Sequence, residues 1–160
     1  MTEAANDRGA DRLYGEAIAA QRLASDPSRS RMASANAGSG KTHVLVGRVS
    51  RLLLGGVEPE HILCLTYTKA AAKEMQARLF RTLGDWSVMD DAKLNAALRD
   101  LLGDTVPLPS LNTARGLFAR ALETPEGLKV QTIHSFCSEV LARFPMEAGI
   151  LPGQKRWRIS

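Results

Sequence analysis

The chain has 160 residues, with 44% apolar and 24% charged side chains, which suits one ordinary globular domain. It holds no apolar run of the ~18 residues that a membrane span requires. Its polar, acidic start (Met1 to Asp11) lacks the apolar core of a signal peptide, so a cytoplasmic protein is expected. The net charge of +4 permits a nucleic-acid partner without establishing one. The two cysteines, Cys64 and Cys137, sit in apolar runs away from any metal-ligand spacing. They are expected to be buried free thiols in a reducing compartment.

Residues 1–11 read as a disordered lead, and Arg12 to Ala24 as a short helix stopped by Ser25-Asp26-Pro27-Ser28. Arg31 to Ser34 is a poor strand by composition, assigned as one only because the loop after it needs a strand before it. That loop, Ala35-Asn36-Ala37-Gly38-Ser39-Gly40-Lys41-Thr42, fits the phosphate-binding pattern G-x-x-x-x-G-K-[ST], with Ala in the first glycine position. The residue types suit the chemistry. Gly38 and Gly40 let the backbone turn tightly and approach a triphosphate, and successive N–H groups form a nest for anionic oxygens. Lys41 can reach the β- and γ-phosphates, and the Thr42 hydroxyl can ligate Mg²⁺. The ligands implied are ATP and Mg²⁺. A helix starting near Gly40 adds its positive end. In that helix Leu45, Val49, Leu52 and Leu53 share an apolar face, Arg48 and Arg51 lie on other faces, and Gly55-Gly56 stops it.

Ile62 to Tyr67 reads as a buried parallel strand, and Thr68 to Leu83 as a helix with Ala72, Met75, Leu79 and Leu83 on one face, closed by Gly84. Strand–helix–strand–helix order predicts an α/β domain with a parallel sheet. Residues 85–128 change character: two helical stretches, Asp91–Leu102 and Leu111–Leu122, flank the Pro107/Pro109 segment and read as a helical insertion. Residues 129–150 return to the core, with a strand at Lys129–Ile133 and a helix from Ser135 to Phe144 whose apolar stripe is Phe136, Val140, Leu141 and Phe144. The tail, 151–160, is basic and irregular. Trp86 and Trp157 carry no readable message.

Three blocks stand in order: Ala35 to Thr42; Leu65-Thr66-Tyr67-Thr68-Lys69-Ala70-Ala71-Ala72-Lys73-Glu74-Met75; and Thr132-Ile133-His134-Ser135-Phe136-Cys137. Together they resemble the UvrD/Rep-type superfamily-one DNA helicases, most closely those of the AddA type, the helicase–nuclease subunits of bacterial double-strand-break repair. The resemblance covers about residues 12–150. It implies an α/β P-loop NTPase (RecA-like) fold with a parallel sheet that is incomplete in this chain, residues 12–84 being the first part of the ATP-binding domain. It also implies that Gln21, twenty residues before Lys41, hydrogen-bonds the adenine edge of ATP. Thr66, Thr68, Lys69 and Lys73 would contact the backbone of single-stranded or duplex-end DNA, as would Thr132, His134 and Ser135. Hydroxyls and N–H groups at the C-terminal end of a parallel strand suit phosphate oxygens on physical grounds too. Tyr67 and Phe136 could stack on bases, though core packing suits Phe136 better. An AddB-type subunit would accompany the parent complex.

Phosphoryl transfer also needs an acidic Mg²⁺ motif and an arginine. Residues 138–160 contain no acidic pair ending an apolar strand, and Asp90-Asp91 lies in the insertion. These 160 residues are therefore expected to be the N-terminal ATP- and DNA-binding part of such a helicase, with little hydrolysis alone. Two alternatives remain at this level. One is a small P-loop kinase or nucleotide-binding enzyme complete at this length, with Arg115 and Arg120 as lid arginines. The other is a remnant without function.

Overall fold

The structure is a computed structural model, and it describes residues 15–34, 40–124 and 127–149. The expected disordered lead and basic tail, with Trp157, lie outside these residues. Helix α1 covers 15–24. It is followed by α2 (Lys41–Leu54), a 3₁₀ turn (Pro59–His61), β1 (Leu63–Thr66), α3 (Lys69–Val88), α4 (Asp91–Leu102), α5 (Leu111–Glu123), β2 (Lys129–Thr132) and α6 (Ile133–Arg143). Strands β1 and β2 pair in parallel, with Cys64 opposite Val130 and Thr66 opposite Thr132. The described chain is thus a helix-rich α/β arrangement around a small two-stranded parallel sheet. No described helix is long and apolar enough to cross a membrane.

The core forms where the stripes of four helices meet. Val46, Val49 and Leu53 of α2 join Met75, Leu79, Leu83 and Trp86 of α3, Leu94 and Leu98 of α4, and Ala114, Leu117 and Ala121 of α5. Spacings of three and four residues place each set on one face. Helix α3 packs most extensively on α5 and also covers both strands. Phe80 and Phe118 add an edge-to-face pair with centroids 6.4 Å apart.

Several sequence expectations change. Helix α3 runs through Gly84 to Val88. A glycine costs only ~1 kcal/mol in a helix, and here the stripe continues to buried Trp86 while the Phe118 ring lies beside Gly84. In α2 the apolar face includes Val46, whereas Leu45 is exposed. The stop after α2 is as expected. Gly56 adopts φ 85°, the Val57 N–H bonds the Leu52 carbonyl, and the Gly56 N–H bonds that of Leu53, the paired bonding of a Schellman motif. Arg31 to Ser34 form no strand and are exposed, since the two strands described pair only with each other. Strand β1 is not fully buried: Cys64 faces α3 with Val130, but Leu63 and Leu65 are 43% exposed on the other face. Helix α6 starts at Ile133, two residues earlier than expected, because Thr132 caps it. Its stripe is not core: Val140, Leu141 and Phe144 are exposed. Cys64 is half-buried, with burial pushing its thiol pKa up, and Cys137 is exposed, so the expected pair of buried thiols is not found.

Arginines join the elements at the surface. Arg115 donates to the Met89 carbonyl at 2.9 Å and to the Asp91 carboxylate at 2.6 Å, and Arg120 grips both Glu58 oxygens. Both are engaged in holding α5 in place.

Two stability outcomes follow from this packing. Leu79 is fully buried at the centre of α3. Leu79→Ala should lower unfolding stability by about 2–5 kcal/mol in a denaturant titration, and a loss below about 1 kcal/mol would contradict this core. Asp90 caps α4. Hydrogen bonds from the Lys93 backbone hold its carboxyl below the usual carboxylate range, assisted by the Lys93 side chain. A lowered folded-state pKa contributes stability above the unfolded value of 3.8, lost as pH falls through the lowered one. Asp90→Ala should therefore flatten the acid limb of stability against pH, and an unchanged acid limb would contradict the capping role.

Candidate nucleotide and nucleic-acid sites

The first site is built around the start of α2. Gly40 holds the left-handed conformation, φ 86° and ψ 13°, at the N-cap of α2. Its carbonyl accepts from the Val44 N–H at 3.0 Å, so the helix is closed from its first turn. Among the described residues no side chain caps this end, and its first turn carries no acidic residue. The first N–H groups of a helix have no intrahelical acceptors. An uncapped start without carboxylates is therefore a favourable place for an anion. Lys41, exposed, and Thr42, half-buried, are the first two residues of α2.

Gln21 on α1 reaches the same place. A Cβ built on Gly40 would lie 3.1 Å from Gln21 Nε2, so the glutamine amide sits directly against the glycine before Lys41. The space there fits a glycine and a positive φ requires one. The structure thus brings together Gln21, Gly40, Lys41 and Thr42, four of the residues singled out in sequence. Ala35, Asn36, Ala37, Gly38 and Ser39 lie outside the described residues. These four fit an ATP–Mg²⁺ group in chemistry: an amide that can both donate and accept, orphan N–H donors, a cation and a hydroxyl.

The second site lies at the C-terminal edge of the sheet. Thr66 and Thr132 end β1 and β2 and are partners across the ladder, so parallel pairing brings both motifs to one edge. Side chains alternate along a strand, which puts both threonines on the face that Cys64 and Val130 turn toward α3. A helix begins immediately beyond each. Thr68 caps α3, its Oγ1 accepting from the Ala71 N–H at 3.1 Å, while the Thr66 hydroxyl donates to the Thr68 carbonyl at 2.9 Å. Buried Thr132 caps α6 by accepting from the Ser135 N–H at 3.1 Å, and its hydroxyl lies 2.9 Å from that of Ser135. Lys69 and Lys73 are exposed one turn apart on α3, and His134 is exposed in the first turn of α6. Tyr67, 84% exposed, stands between Thr66 and Thr68. Phe136 is half-buried. The arrangement offers two adjacent helix starts, hydroxyls, two ammonium groups and an open aromatic ring. Those are the contacts a phosphodiester strand with splayed bases takes.

Sequence reasoning missed one group of residues near the first site. Arg22, Arg48 and Arg51 tie the α1 region to α2 and α4 through bonds to Asp100, Leu101, Asp26 and Arg29. Their partners lie up to 78 residues away, so no local pattern could signal them.

Residues 18–159 match the family model described as the UvrD/REP helicase N-terminal domain. Among curated proteins the chain is similar to bacterial ATP-dependent helicase/nuclease subunits of the AddA type. It is 32% identical over 124 residues to that of Lactobacillus acidophilus, covering 78% of this chain and 8% of that protein. It is 36% identical over 113 residues to that of Lactobacillus johnsonii, covering 71% of this chain and 8% of the relative. The corresponding protein of Exiguobacterium sibiricum is 34% identical over 124 residues, 76% of this chain and 9% of its own length. The chain thus spans less than a tenth of the length of these curated relatives. By a match that covers nearly the whole sequence, the chain belongs to the UvrD/REP helicase N-terminal domain family.

Proposed function

We propose that this chain is the ATP- and DNA-binding first part of an ATP-dependent DNA helicase of the AddA type, built on a RecA-like P-loop scaffold and acting in double-strand-break repair and recombination. The observation that carries the reading is the Gln21 amide set against Gly40 at the uncapped start of α2. In this reading the N–H groups of Ala35 to Gly40 and of the first turn of α2 cradle the triphosphate. Lys41 neutralises the β- and γ-phosphates, Thr42 holds Mg²⁺, and Gln21 reads the adenine edge. Thr66, Thr68, Lys69, Lys73, Thr132, His134 and Ser135 hold the backbone of single-stranded or duplex-end DNA. Two binding ends on one packed unit are what coupling of ATP hydrolysis to DNA movement would require of this region. Hydrolysis, translocation, nuclease chemistry and an AddB-type partner belong to the whole protein, and a DNA-acting role implies the cytoplasm.

Titration with a fluorescent ATP analogue and Mg²⁺ tests the nucleotide half. Lys41→Ala should weaken binding by about tenfold or more, equivalent to ~1.4 kcal/mol. Gly40→Ala should do the same with the fold retained by circular dichroism, because an alanine costs about 1–2 kcal/mol at a left-handed φ and its Cβ would press on Gln21. Wild-type binding in both variants would contradict the nucleotide site.

The DNA half is tested by salt dependence. Each lysine that neutralises a phosphate steepens log K against log salt by about 0.7 on single strands. Lys69→Ala and Lys73→Ala should each flatten the slope by about that amount. Unchanged slopes would remove these lysines from the interface.

A further inference from the structure

Among the described residues, apolar packing does little to hold 15–24, the helical segment that carries Gln21. No residue of 15–24 belongs to the buried core, and Leu23 is 55% exposed. Between α1 and the helices behind it lies a cavity of about 450 Å³, lined by Gln21, Arg22, Ser50, Thr82, Trp86 and Asp100 among others. Buried Ser50 Oγ on its wall finds no hydrogen-bond partner among the described residues.

Polar bonds span the gap instead. Arg22 Nε donates to the Asp100 carbonyl at 2.8 Å and its Nη2 to the Asp100 carboxylate at 2.8 Å. Arg51 of α2 donates through Nη1 to the Arg22 carbonyl at 3.2 Å, and through Nε to the Leu101 carbonyl at 3.0 Å. The acceptors on α4 lie in its last turn, where carbonyls lack intrahelical donors and the helix end is negative. An exposed ion pair contributes little by itself. The carboxylate of Asp100 is 76% exposed, so the carbonyl bonds are the firmer part of this link.

We propose that Arg22 and Arg51 are positioning residues for base recognition: they clamp α1 to the C-terminal end of α4 and so hold the Gln21 amide against Gly40. The inference rests on the reading of Gln21 as the residue that recognises adenine. Its consequence is that the helical stretch after α3 influences the base preference of the nucleotide site. Neither arginine touches the nucleotide in this scheme.

The experiment is competition against fluorescent ATP with Mg²⁺, using ATP, GTP and tripolyphosphate as competitors. Arg22→Met keeps the aliphatic stem and removes both bonds to α4. It should lower the ATP-over-GTP preference severalfold toward parity while leaving tripolyphosphate affinity unchanged. Asp100→Ala should lower the preference less, because the bond to its backbone carbonyl survives, and Asp100→Glu should restore it. Asp100→Ala also carries the test should Arg22→Met fail to fold. Gln21→Ala serves as the reference. If Gln21→Ala loses the preference while Arg22→Met and Asp100→Ala keep it, the clamp is overturned and the glutamine reading stands. If Gln21→Ala itself keeps the preference, the glutamine reading fails and the clamp fails with it. A parallel loss of all three competitors in Arg22→Met would show a general folding effect and also overturn the clamp.

Discussion

The apolar stripe of α3 is the surface on which the rest of the described chain is assembled. Met75, Leu79, Leu83 and Trp86 are buried there against α2 and α5, with Leu94 and Leu98 of α4 in the same cluster. The helix also covers the two strands. A two-stranded sheet gains little stability alone and needs such a cover. Fixing α3 on the core fixes its start at Thr68, and that start decides where Lys69 and Lys73 stand relative to Thr132. The sheet edge is therefore a consequence of helix packing, transmitted through strands only four residues long.

The two candidate sites share one physical device. Each uses the positive, donor-rich start of a helix, but the starts are finished differently. Helices α3 and α6 are capped by threonine hydroxyls, which satisfy one donor each and leave their surroundings polar. Helix α2 begins on a left-handed glycine with no capping side chain among the described residues. In the proposed reading the glycine start would take the triphosphate and the threonine-capped starts the single phosphates of a DNA strand. The arginines around α1 add a third layer, in which polar bonds tie residues 15–24 to α2 and α4 beside Gly40.

Legibility in the sequence followed the range of the interactions. The helices were readable from apolar spacing, and the stop after α2 from Gly55-Gly56, because those signals act within one or two turns. The resemblance gave the second and third motifs a common DNA-facing role without bringing them together, and parallel pairing of Thr66 with Thr132 places them at one edge. Gly84 misled because a local helix penalty was weighed without the burial of Trp86 two residues later and the Phe118 ring beside it. The α6 stripe misled for the opposite reason: spacing gives the shape of a face but not whether anything covers it. Arg48 and Arg51 were placed only off the apolar face of α2, because their acceptors, on the segment after α1 and at the end of α4, are distant in sequence. The thiols were misjudged because an apolar run in sequence is not a buried position in space.

The central claim is that one packed unit carries two separate anion sites, one for nucleotide at the start of α2 and one for nucleic acid at the sheet edge. Amide chemical-shift mapping of the labelled chain tests it most directly. Addition of Mg²⁺–ATP should move the signals of Gly40 to Val44 and the Gln21 side-chain amide. A short single-stranded oligonucleotide should move those of Thr68 to Ala71 and Thr132 to Ser135. Shifts from both ligands at the same residues, or ATP shifts that spare Gly40 and Gln21, would contradict the account.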